Sequence, residues 1–326
     1  LSKQTGNQSS SISSLLVLGL QSTATSSLVV DKEEDLCIIE TISISKFPIY
    51  LVYQSKLKQY YAMKVYDAKD KAMNFCFANE VRFVGLRHPN VISMTKKAEN
   101  KKISNKMETF DVSYILMELC HCDFLDLALM DGFLQDKKLV RTYFHQLVEG
   151  LEFLHSNRFS HLDLKLENLL LGKDLKLKIA DFDLSYQADD VFVYGSGTPN
   201  FRAPEIRGKY CKNTYAADIY SLGIILFILM MGGLPYIEDV VDEVDLYKIL
   251  LDSPRLFWVI REEFEPSSSQ IDKNFKTLFL SMVAKDPSSR ATLQDIKNSA
   301  WYRGPVYSDQ ELKQVMEELL ESSVLN

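Results

Sequence analysis

Apolar positions alternate in the first third of the chain and recur at helical spacing later. Strand-like text begins near Leu36 and runs through Ile38-Ile39-Glu40-Thr41-Ile42, then Ile49-Tyr50-Leu51-Val52-Tyr53. A third run, Tyr60-Tyr61-Ala62-Met63-Lys64-Val65-Tyr66, follows; β-branched and aromatic residues fill all three. Lys71 to Leu86 reads as a helix, with Phe75, Ala78, Val81 and Phe83 as its apolar positions. A polar turn over Lys96 to Lys106 is expected between two further strands, the second containing Ser113-Tyr114-Ile115-Leu116-Met117-Glu118-Leu119. From there the chain turns helical, and Leu139 to His155 is apolar at helical spacing. Asn168 to Ile179 alternates around Gly172-Lys173-Asp174 and predicts a hairpin. Ile224 to Met231 is intensely apolar, but Asp218 before it and Gly232-Gly233 after it leave too short a run to span a bilayer, so a buried core helix is expected. Ser308-Asp309-Gln310-Glu311 opens a last helix, Leu312 to Leu320, in the manner of a capping box.

Residues 1–30 are rich in Ser, Thr and Gln and are expected to form a mobile leader. Within them Leu15 to Leu20 is apolar but too short for a membrane span, and no basic stretch precedes it as in a secretion signal. The 326 residues suffice for a two-part body with a sizeable core, and 46% hydrophobic with 25% charged residues is ordinary for a soluble protein. A net charge of -7 and a pI near 5.4 argue against nucleic acid or an anionic membrane as the main partner. The five cysteines form no repeated pair and suit a reducing compartment. Cys120-His121-Cys122 lacks the second ligand pair a zinc site needs and reads as a loop after a strand.

The chemistry concentrates in His161-Leu162-Asp163-Leu164-Lys165-Leu166-Glu167-Asn168, followed beyond the hairpin by Asp181-Phe182-Asp183. A carboxylate and an ammonium stand two residues apart, an amide three further on, and a second carboxylate returns beside it. These are the groups that move a phosphoryl group: an acid orients the attacking hydroxyl, a lysine screens the transferred charge, and an amide and an acid hold magnesium.

The ordered pair resembles the catalytic and metal-binding loops of eukaryotic protein kinases (HRDxKxxN and DFG), with Leu162 for the arginine and Asp183 for the glycine. The resemblance covers about residues 36–302 and is closest to the calcium/calmodulin-dependent and AMP-activated-like serine/threonine group. It implies an α+β bilobal fold: a small antiparallel β-sheet lobe with one main helix over 36–119, a larger mostly helical lobe over 120–302, and a tail with a helix over 303–326. It implies ATP and Mg2+ as cofactors, Asp163 and Lys165 as catalytic groups, and Asn168 and Asp181 as metal ligands. Lys64 matches the phosphate-binding lysine, and Glu80 its helix partner, although Asn79 competes for that place in the alignment. Ala62, Met117, Glu118, Cys120 and Leu170 match adenine-site positions. Ser43, Ser45 and Phe47 fall in the phosphate loop, where Ser43-Ile44-Ser45-Lys46-Phe47-Pro48 replaces Gly-x-Gly-x-x-Gly and keeps only the aromatic tip.

Further positions carry over from the same resemblance. His161 is expected to prop Phe182. Leu162 removes the arginine that reads an activation-loop phosphate, and Tyr194 stands at the usual phosphothreonine position, so no loop phosphate is expected to be required. Gly197-Thr198-Pro199-Asn200-Phe201-Arg202-Ala203-Pro204-Glu205 is similar to the end of an activation segment, with Thr198 bonding Asp163 and Lys165, and Glu205 pairing with Arg290. Asp123 and Glu167 read equally as surface acids or as contacts for a basic peptide. Protein or peptide substrates are implied, with neither nucleic acid nor a membrane span, in the cytoplasm or nucleus; the tail could dock on the large lobe, inhibit the site or merely cap it. The alternative is a pseudokinase acting as a nucleotide-binding or scaffolding module, favoured by the lost glycines, Leu162 and Asp183. A small-molecule kinase is disfavoured by residues 197–205.

Overall fold

The strand-like runs form one antiparallel sheet in the order β1-β2-β3-β4-β6-β5: β1 (Leu28–Asp31), β2 (Leu36–Ile44), β3 (Pro48–Gln54), β4 (Gln59–Asp67), β5 (Met94–Ser104) and β6 (Thr109–Met117). The structure is a computed structural model and describes residues 28–31, 35–44, 46–104, 109–187, 197–207, 211, 213–237, 245–264 and 271–324. Leu15 to Leu20, Ser45, Tyr194 and Ser196 lie outside the described residues. By contacts the chain divides into two units, residues up to Arg87 with Ile92–Leu119, and His88–Val91 with Cys120 onward.

Three expectations are corrected in the first unit. The expected leader ends in the sheet: Leu28 pairs with Ile38 and Val29 with Cys37. The Lys-rich stretch from Lys96 to Ser104 is strand rather than turn and forms the last strand of the ladder. The helix α1 (Lys71–Glu80) is shorter than expected and gives way to a tight 3-10 turn over Val81–Phe83. Its buried residues are Met73, Cys76, Phe77, Asn79 and Glu80, while Phe75 is 57% exposed. Apolarity alone favours Phe75, but the rotation that buries Met73, Cys76 and Phe77 together with the Glu80 carboxylate leaves Phe75 outside. Asp70 caps the helix by accepting from the Ala72 and Met73 amides.

The sheet curls until β1 packs against β5, and one of its faces encloses Leu36, Val52, Met63, Val65, Val112 and Tyr114. Alternation sends the neighbours of these residues to the other face. There Ile49 pairs with Lys64 and Leu51 with Ala62.

The second unit is mostly helical. It holds β7 (Cys120–Asp123), α2 (Phe124–Leu129), α3 (Lys137–Ser156), β8 (Phe159–Ser160), β9 (Leu169–Gly172), β10 (Leu177–Ile179), β11 (Tyr186–Gln187), α4 (Pro204–Arg207) and α5 (Thr214–Met231). After these come α6 (Leu246–Asp252), α7 (Pro254–Phe264), α8 (Lys273–Met282), α9 (Leu293–Asn298) and α10 (Asp309–Val324). The β9–β10 hairpin pairs Leu177 with Leu171 and Ile179 with Leu169, which returns the chain to Asn168. α5 is long and apolar enough to cross a bilayer by length and composition, yet its residues from Ala216 to Leu229 are buried inside the unit. Gly232 ends it in the left-handed region at φ 79°, a conformation that glycine adopts without strain.

The tail docks within this unit. Ser308 and Glu311 cap α10 reciprocally, Leu312 and Met316 are buried, and Lys176 Nζ meets Asp309 at 2.7 Å. The Tyr307 hydroxyl donates to Asp136 Oδ2 at 2.7 Å.

Candidate active site

In the first unit the β4 lysine and the α1 acid meet: Lys64 Nζ lies 2.6 Å from Glu80 Oε2, with both side chains at most 5% exposed. Asn79, the competing position, instead accepts from Arg82 Nη2 through its side chain. The Tyr66 hydroxyl donates to the same Glu80 oxygen as Lys64. Phe47 is not an exposed tip. Ile44 pairs with Pro48, and Phe47 just before it is 3% exposed. It packs 4.8 Å from the Tyr66 ring, and Lys64 Nζ lies 4.7 Å from its centroid. A cation over an aromatic face is attracted by the ring quadrupole, so Phe47 covers part of the ammonium. Lys46 Nζ reaches Cys76 Sγ at 3.4 Å and ties the same stretch to α1. Ser43 sits in the ladder opposite Ile49. Ala62 is paired with Met117, and Glu118 is clamped by Ser93, whose amide donates to Glu118 Oε1 at 2.7 Å.

In the second unit the groups around Asp163 form one hydrogen-bonded set. Asp163 Oδ1 accepts from the Thr198 amide at 2.8 Å and hydroxyl at 2.7 Å. Lys165 Nζ donates to Thr198 Oγ1 at 3.0 Å and lies 3.3 Å from Asp163 Oδ2. The Asn168 amide nitrogen donates to the Asp163 carbonyl at 2.8 Å and to Oδ2 at 3.2 Å. That leaves its amide oxygen as the acceptor end. Asp181 follows the hairpin at φ 66°, in the left-handed region, and is half-buried. Cys120 pairs with Gly172 in the β7–β9 ladder, and Leu170 with Asp123. Burial pushes the Asp123 carboxyl up and the Cys122 thiol to about 11, so that thiol stays protonated at neutral pH.

The loop is held from behind by a residue not foreseen as part of the site. Asp218, fully buried on α5, accepts from the His161 amide at 2.9 Å, the Leu162 amide at 2.8 Å and His155 Nε2 at 2.8 Å. Those donors fix Leu162 at φ 64°, which an ordinary residue adopts only under constraint. His161 Nδ1 accepts from the Asp163 amide, so its Nε2 carries the proton and donates to the Ala180 carbonyl at 2.9 Å. The imidazole therefore bridges the two loops and lies against Phe182, with ring centroids 5.3 Å apart and planes tilted by 57°. Gly197, at φ 92°, passes so close to the loop that an added Cβ would stand 2.6 Å from the Leu162 carbonyl oxygen. Farther out, Arg290 grips Glu205 with two bonds of 2.6 Å each.

The donor set fits the groups the chemistry requires. Among the described residues no three His, Cys, Asp or Glu side chains gather into a self-sufficient metal cage. Asn168 and Asp181 offer oxygen ligands only, which suits magnesium, an ion ordinarily held by one or two protein ligands together with nucleotide phosphates.

Comparison with known proteins agrees with this geometry. A family profile described as "Protein kinase domain" matches residues 47–302. Calcium/calmodulin-dependent protein kinase kinase of Caenorhabditis elegans is 30% identical over 311 residues, 85% of this chain and 55% of that protein. CBL-interacting serine/threonine-protein kinase 8 of Arabidopsis thaliana is 33% identical over 222 residues, 67% of this chain and 45% of its own length. CBL-interacting protein kinase 26 of Oryza sativa is 30% identical over 257 residues, 76% of this chain and 49% of its own. The chain thus spans about half the length of these relatives. On the profile match and these likenesses, the chain belongs to the eukaryotic protein kinases, on their serine/threonine side.

Proposed function

We propose that the chain is a serine/threonine protein kinase, moving the γ-phosphoryl of Mg-ATP to hydroxyls of protein substrates. The observation that carries this reading is the Asp163–Thr198–Lys165–Asn168 set, in which the acid, the ammonium and the amide are held by bonds of 2.7 to 3.3 Å. In this role Asp163 orients the attacking hydroxyl and accepts its proton as transfer proceeds. Lys165 screens the charge that spreads over the transferred group. Asn168 and Asp181 supply the magnesium ligands, and Lys64, kept in place by Glu80, takes the nucleotide phosphates. Bound magnesium would neutralise phosphate charge.

Two finer features belong to the proposal. The run Ser43-Ile44-Ser45-Lys46-Phe47-Pro48 lacks the glycines whose bare amides would cradle phosphates, and Phe47 lies against Lys64. Nucleotide affinity is therefore expected to be weak, with a dissociation constant above the low micromolar range. Leu162 stands where the phosphate-reading arginine would be, and Asp218 holds the loop amides at His161 and Leu162, so activity should not depend on phosphorylation of the loop between residues 184 and 196. Phe47 over Lys64 also favours the second reading, a pseudokinase whose fold serves as an interaction module.

Phosphate transfer to a generic basic protein, with phosphatase-treated chain and Asp163→Asn side by side, separates these readings. Transfer by the treated chain, lowered about a hundredfold or more by Asp163→Asn, supports the kinase. Equal, negligible transfer by both supports the pseudokinase.

A further inference from the structure

Tyr66 lies two residues beyond Lys64 on β4, so both side chains leave the same face of the sheet. The tyrosine is fully buried, with its ring 4.8 Å from Phe47 and 5.2 Å from Phe77 on α1. Its hydroxyl donates to Glu80 Oε2, the oxygen that also receives Lys64 Nζ at 2.6 Å. Glu80 itself is 1% exposed. A carboxylate this deep is costly to bury unless donors surround it, and they hold it in place. Lys64 has a second task, because a nucleotide's phosphates draw on the same ammonium. The Tyr66 hydroxyl is neutral, sits on a ring packed against two others, and keeps donating while the ammonium is shared.

We propose that Tyr66 is a positioning residue of the nucleotide site, holding Glu80 so that Lys64 stays set for phosphate. The inference rests on the kinase reading above. Phenylalanine at this position would fill the same space and supply no donor, so Tyr66→Phe isolates the hydroxyl.

The test is a double-mutant cycle in the full chain, with Tyr66→Phe, Glu80→Gln and the pair, read as the Mg-ATP dissociation constant by calorimetry. Activity of Tyr66→Phe at saturating ATP is measured alongside. The expected result is about a tenfold weaker Mg-ATP affinity for Tyr66→Phe, the scale of one hydrogen bond to a charged group. The rate at saturating ATP should stay within about threefold of wild type, as for lost uniform binding. In the Glu80→Gln background the same change should add less than about twofold, since the hydroxyl then has no carboxylate to hold. Wild-type affinity in Tyr66→Phe overturns the proposal, and so does an undiminished loss on Glu80→Gln. Failure of Tyr66→Phe to fold overturns it too, by assigning the hydroxyl to stability. A wild-type chain that binds no Mg-ATP brings down the kinase reading itself, a result distinct from these.

Discussion

The surroundings of Asp163 and of Lys64 are built from different materials. Around Asp163 the restraints are polar and come from far along the chain: Thr198, Asn168, and Asp218 behind the loop. Around Lys64 they are aromatic and close to hand: Phe47, Tyr66 and, through Tyr66, Phe77. Hydrogen bonds set direction, so the first region can hold reacting groups at fixed angles. Rings fill space and exclude water but aim weakly, so the second region secures its ion pair by enclosure. The directional region keeps the family's acid, lysine and amide with Leu162 and Asp183 as replacements, whereas the enclosed one keeps the Lys64–Glu80 pair and loses every glycine of the loop beside it.

The contrast can be broken at three points. Asp218→Asn strikes the polar side hardest. It replaces an acceptor of three donors with an amide that must present hydrogens to one of them, and should cost about 3 kcal/mol in urea unfolding. A loss no greater than that of a surface change would show that the loop is held by something else. Phe47→Ala acts on the aromatic side. By uncovering Lys64 it should tighten Mg-ATP binding about tenfold in calorimetry, in keeping with a desolvated cation–π contact. Weaker binding instead would make the ring a support for the ion pair. The smallest effect is expected at the tail. The hydrogen bond to Asp136 pushes the Tyr307 hydroxyl up to about 12. Its folded-state pKa is thus raised, so its contribution to docking of α10 is full below the unfolded value near 10 and disappears as pH rises through about 12. Hydrogen exchange of α10 at rising pH, with Tyr307→Phe insensitive over that window, checks it.

What could be seen in the residues alone follows the same division. Asp163, Lys165 and Asn168 are legible because the loop that displays them is contiguous, and Asp181 because an alternating hairpin measures the return. Thr198, Glu205 and Arg290 are legible only through a family resemblance, since nothing in their spacing brings them together. Asp218 could be placed on a helix but not behind the loop, because a buried acid and a capping acid look alike in sequence. Phe75 misleads for a related reason: on a short helix the apolar residues Met73, Cys76 and Phe77 compete with it for the buried face, and the carboxylate that meets a lysine goes with them. Tyr66 fits a strand pattern as well as any aromatic residue, and its hydroxyl's partner lies 14 residues away on another element. The strand Leu28–Asp31 was hidden by the polar text before it.

Asp218 belongs to α5, the most deeply embedded helix of its unit, and two of its three bonds end on main-chain amides. Those amides cannot meet solvent while the helix keeps its place. Deuterium should therefore enter at His161 and Leu162 as slowly as in the interior of α5, and at a rate set by opening of the whole unit rather than by fluctuation of a loop.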